Sequence, residues 1–70
     1  MKTFKVYSLI TENVTVWTDR ELELHFQKLN HYAPKITRLS SSMLKRQVRE
    51  VREILRNGPF RSGHLFIKND

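Results

Sequence analysis

Leu44, Val48, Val51 and Leu55 recur at helical spacing, which at about 100° per residue places all four in one narrow sector. A helix carrying such a stripe must lay it on another element. Met43 and Ile54 widen the sector on one side. Ser40, Ser41 and Ser42 can cap the helix, because a serine hydroxyl accepts from amides of the first turn, and Asn57, Gly58 and Pro59 end it. The pattern predicts a helix over about Ser42 to Asn57.

The rest of the chain supplies what that helix packs on. In "TFKVYSLI" apolar character alternates, with Phe4, Val6, Ser8 and Ile10 on one side and Lys5, Tyr7 and Leu9 on the other. "NVTVWT" repeats this with Val14 and Val16 against Thr15 and Trp17, and "TEN" suits a hairpin loop between the two. In "TDRELELHFQKLN", Thr18 and Glu21 have the spacing of a capping box, and Leu22, Phe26 and Leu29 form an apolar stripe, so a helix over about Asp19 to Asn30 is expected. "KITRLS" and "GHLFIK" read as short strands. The expected fold is a single α+β domain over 1–70, of order ββαβαβ, with a three- or four-stranded, mostly antiparallel sheet and both helices on one face.

Seventy residues without cysteine hide only about 60% of the unfolded surface, and neither a disulfide nor a Cys-ligated zinc can reinforce the thin core. The expectation is a soluble, unprocessed, cytoplasmic protein. No apolar run reaches the ~18 to 20 residues that cross a bilayer, and the start has no long apolar segment with a cleavage site. No membrane partner and no cofactor are expected.

The net charge of +6 is unevenly placed. Residues 1–34 carry four cations and four anions. Between Lys35 and Arg61 lie Lys35, Arg38, Lys45, Arg46, Arg49, Arg52, Arg56 and Arg61 against Glu50 and Glu53. Lys45, Arg49, Arg52 and Arg56 repeat the core spacing one residue on, forming a second stripe beside the first, with Arg46 further round. Part of this needs no partner, since the stems cover apolar neighbours and Glu50 and Glu53 stand at i, i+4 to Arg46 and Arg49. Two carboxylates do not neutralise five cations, however, and a nucleic-acid backbone would, with release of counterions. The expected function is non-catalytic binding of DNA or RNA through all eight cations. Charge reversal at Arg49 and Arg52 is expected to abolish binding and spare stability. The alternative is a small accessory or inhibitor protein docking on an acidic protein surface, with Trp17, Tyr7 and arginines as anchors. A homodimer is a further option.

Three resemblances bear on this. "RSGHLFIK" resembles the RNP1 element of RNA-recognition motifs at Gly63, Phe66 and Ile67, with His64 as an aromatic substitute. "KVYSLI" is similar to that family's RNP2 element, with Tyr7 at the stacking position, and "TDRELELHFQKLN" looks like its first helix. The chain departs from the family in the long helix before "GHLFIK", in the absence of a helix and strand after it, and in Asn69 at the last aromatic position; membership is not assigned. The resemblance implies that Tyr7, His64 and Phe66 offer flat faces to unpaired bases. Without that resemblance, Phe66 reads as core and Tyr7 as an ordinary half-exposed strand residue.

"LSSSMLKRQVREVREILRNGPFRSGHLFI" is similar to the recognition helix and wing of winged helix-turn-helix domains, an alternative fold in which Ser42, Lys45, Arg46 and Arg49 would enter a major groove. The helix expected just before it is missing from "APKITRLS". "RSGHLF" is faintly similar to the Gly-Ser-His-His element of mRNA interferase toxins, with altered order and no second histidine. That resemblance makes His64 with Arg61 the pair to test for catalysis; the favoured reading has no catalytic residue. His25, His31 and His64 lack metal-ligand spacing, and no metal site is expected.

Overall fold

The computed structural model describes residues 2–70. Strand β1 (Thr3–Ser8) and strand β2 (Val14–Thr18) form a hairpin, followed by helix α1 (Asp19–Tyr32), a 3₁₀ turn (Lys35–Thr37) and helix α2 (Ser41–Asn57). A second hairpin, β3 (Phe60–Ser62) and β4 (Leu65–Asn69), ends the chain. The four strands make one antiparallel sheet in the order β2-β1-β4-β3, so the two hairpins meet along β1 and β4 at its centre.

Alternation along the strands decides what each sheet face carries. Phe4 and Val6 of β1 and Ile67 of β4 point to the helix side and are buried with Leu22 and Phe26 of α1 and Val48, Val51 and Leu55 of α2. These eight side chains are one cluster, with Trp17, Leu44, Phe60 and Leu65 packed around it. Burial of each large side chain contributes about 1.5–3 kcal/mol, so a core this small has little to spare.

The helix starts follow their capping residues. Thr18 Oγ1 accepts from the Glu21 amide at 3.2 Å, and Glu21 Oε1 accepts from the Thr18 amide at 3.2 Å, which completes the capping box. Ser40 caps α2, its hydroxyl accepting from the Met43 amide. Asn69 Nδ2 donates to the Leu55 carbonyl, tying the last turn of α2 to β4.

Within the expected α+β fold of an antiparallel sheet and two helices, five details are corrected. "KITRLS" is a 3₁₀ turn instead of a strand: the Asn30 side chain accepts from the Leu39 amide at 2.8 Å and donates to the Leu39 carbonyl at 3.1 Å, taking the groups a neighbouring strand would use. The element order is therefore ββααββ, with the added strand at Phe60–Ser62. The "FRSGHLF" hairpin exists, turning at Gly63 with φ +57°, but β4 pairs with β1 inside the sheet, so it is not a free wing. Strand β1 stops at Ser8, leaving Leu9 and Ile10 exposed in the loop. Met43 and Ile54 are exposed and do not widen the core.

Leu55→Ala is expected to cost about 2–5 kcal/mol in chemical denaturation, against under about 1 kcal/mol for Ile54→Ala. Similar losses at both positions would show that α2 is rotated from this packing.

Candidate nucleic-acid interface

Helix α2 sorts its cations by what they meet. Arg52, one residue from the buried Val51, reaches across to α1: its Nε donates to Asp19 Oδ1 at 2.8 Å and its Nη2 lies 3.6 Å from Glu23 Oε2. Lys45 borders a shallow groove with Glu23, Gln27, Ser41, Leu44 and Val48. Lys45, Arg46, Arg49 and Arg56 are exposed, and among the described residues none has a carboxylate within ion-pair distance. The spacing that allows Arg46–Glu50 and Arg49–Glu53 pairs is thus not used. Arg56 does favour the carbonyl end of its own helix. Lys45, Arg46 and Arg49 have no such internal role.

The other basic residues separate into two places. Lys35 and Arg38 lie in the turn between the helices, where Arg38 Nε donates to the Ala33 carbonyl at 3.1 Å. Arg61 is on β3, in register with Phe66 of β4. Registered residues of an antiparallel pair share a face, so Arg61 belongs to the side of the sheet away from the helices. Sequence proximity joined it to the α2 stripe; the register places it on the other face of the sheet, on the edge strand β3.

On that far face the register produces cross-strand rows. Val14, Tyr7, Phe66 and Arg61 form one row across all four strands. Val16, Lys5 and Lys68 form the next. Phe66 is therefore outside the core, a correction to the reading that made it a core residue. Its ring meets that of Tyr7 edge-on, with centroids 6.4 Å apart. His64 is not on this face but exposed in the β3–β4 turn, beside Gly63, whose carbonyl accepts from Arg61 Nε at 3.1 Å. Sequence reading did not assign Lys5 or Lys68 to a site, and it reached Phe66 only through the resemblance to RNA-recognition motifs. Their signal was the alternation of Lys5 with Phe4 and Val6, and of Phe66 and Lys68 with Ile67.

The histidines do not converge. His25 sits half-buried between Trp17 and Phe26, with Nε2 3.2 Å from Ser62 Oγ. Burial lowers its pKa from the usual 6.5, and the nearby Lys28 charge lowers it further. Among the described residues no three His, Cys, Asp or Glu side chains are grouped to hold a metal ion, and no helix is long and apolar enough to cross a membrane. Trp17 is partly buried, packed against the core and lining a surface hollow with Glu21, Leu24 and Lys28. Compared with protein families, curated proteins and solved structures, the chain gives no significant match.

Because the fold favours neutral His25, its contribution to stability is fully present above pH 6.5 and is lost as pH falls from 6.5 through the lowered folded value. Wild-type Tm is expected to drop over that window, and His25→Gln to flatten the drop; an unchanged profile in the variant contradicts this. Arg52→Glu sets a carboxylate against Asp19 and Glu23 and is expected to cost about 1 kcal/mol, or roughly 4–8 °C in Tm, while Arg49→Glu leaves Tm nearly unchanged. Equal thermal shifts would contradict the division of the stripe.

Proposed function

We propose that the protein is a small, non-catalytic nucleic-acid-binding protein that contacts phosphates through the solvent face of α2. One observation carries the reading: Lys45, Arg46, Arg49 and Arg56 stand along one exposed helix without carboxylate partners among the described residues. Like charges at i, i+4 along a helix repel, and a line of phosphates relieves the repulsion while releasing counterions. Lys35 and Arg38 extend the surface at the inter-helix turn. Arg52 supports it by holding α2 to α1. The setting proposed is cytoplasmic, in keeping with a chain free of cysteine.

A second reading, docking on an acidic protein surface, is favoured by the turn between the helices. Ile36 is 94% exposed and Tyr32 82% exposed, beside Lys35 and Arg38. An apolar tip ringed by cations suits a protein partner, and it is tested by replacing Ile36 and Tyr32 with serine and asking whether a stoichiometric partner is lost from nuclease-treated pull-downs.

The nucleic-acid reading is tested with labelled oligonucleotides by fluorescence anisotropy. With four phosphate contacts, raising salt from about 50 to 200 mM is expected to weaken binding roughly 50- to 150-fold. Arg46→Glu with Arg49→Glu is expected to lower the salt slope by about 1.5–2 units and to leave folding intact. Absence of binding to single- and double-stranded probes at about 50 mM salt would contradict the reading.

A further inference from the structure

We propose that the open face of the sheet is a second nucleic-acid site, one that takes unpaired bases by stacking and is separate from the helix surface. No element among residues 2–70 covers this face: both helices pack on the other side, against Phe4, Val6 and Ile67. Its centre is Tyr7 and Phe66, one on each of the two middle strands and in register. Their rings meet at 61° and do not close on each other as a stack. Val14 and Leu9, both about half exposed, extend the apolar surface around them.

Charge decides what fits there. Lys5 and Lys68 are directly opposite each other on β1 and β4, an arrangement that destabilises a sheet unless a counter-charge is present. Asp70 lies 3.7 Å from Lys5 and serves only that side of the pair. The Lys68 ammonium sits 5.7 Å from the centre of the Tyr7 ring, and Arg61 closes the row beyond Phe66. Aromatic faces interleaved with three cations match a strand whose bases are exposed and whose phosphates alternate with them. A second copy of the chain, laid face to face, would oppose two surfaces that both carry Lys5, Lys68 and Arg61. Duplex nucleic acid hides its bases and would use only the cations. The occupant is therefore a single strand, with stacking supplying the base-dependent part of the affinity and little sequence preference.

The test uses the full chain with three labelled probes of equal length: single-stranded oligothymidylate, an abasic single strand, and a duplex. Wild type is expected to bind oligothymidylate about ten-fold or more tightly than the abasic strand. Tyr7→Ala and Phe66→Leu, which remove one aromatic face each, are expected to weaken oligothymidylate binding on the order of ten-fold. Binding of the abasic strand and the salt slope should not change, and Tyr7→Trp should bind like wild type. Circular dichroism and Tm establish that each variant is folded; should Phe66→Leu not fold, Tyr7→Ala against Tyr7→Trp decides alone.

The inference is overturned if oligothymidylate and the abasic strand bind alike, if folded Tyr7→Ala binds like wild type, or if sedimentation shows a dimer that Tyr7→Ala dissolves. It also stands apart from the helix proposal. Loss of binding on reversing Arg46 and Arg49 with none in Tyr7→Ala leaves the helix reading and removes this one. The opposite result keeps the stacking site and removes the helix.

Discussion

Every other feature follows from how few side chains the core has. Eight residues are buried in one cluster between the sheet and two helices. A domain of two layers covers one face of its sheet, and no third layer is present among the described residues. The central strands β1 and β4 thus bury Phe4, Val6 and Ile67 on one side and present Lys5, Tyr7, Phe66 and Lys68 on the other. An uncovered sheet centre bearing aromatic rings and cations is a consequence of the same alternation that builds the core.

The helices divide their charge by the same logic. Where α2 approaches α1, Arg52 meets Asp19 and Glu23, and the acidic first turn of α1 has two roles, favouring its own helix start and receiving that arginine. Lys45 borders α1 without such a counterpart, and Arg46, Arg49 and Arg56 are likewise exposed without one among the described residues, so the helix combines one structural arginine with four exposed cations. With Arg61 on the sheet's far face, basic groups occupy both sides of the molecule. A polyanion reaching both would have to pass around an edge, so the two surfaces are physically separate.

Much of the fold could be read before it was seen, for reasons that are local. The Thr18–Glu21 capping box, the serines before α2 and the alternation in β1 and β2 depend on neighbours in sequence. What escaped depends on distant ones. The Asn30 side chain mimics a strand partner for Leu39 across nine residues, and nothing in "KITRLS" announces it. Arg52 finds Asp19 across thirty-three. Phe66 and Arg61 are placed by the pairing of β4 with β1 and with β3, and a register is invisible until the partner strand is known. The basic stripe was legible as a pattern, whereas the commitment of one member to the fold, and the removal of Arg61 to another face, were not.

The most direct measurement is an amide-resolved NMR titration of the isotope-labelled protein with a short single-stranded oligonucleotide at low salt. The expected result is two sets of shifting resonances, one on α2 around Lys45, Arg46 and Arg49, the other on the central strands around Tyr7 and Phe66, with the amides of buried Val51 and Ile67 nearly unmoved. A spectrum unchanged at saturating oligonucleotide, or shifts confined to the turn at Tyr32 and Ile36, would contradict it.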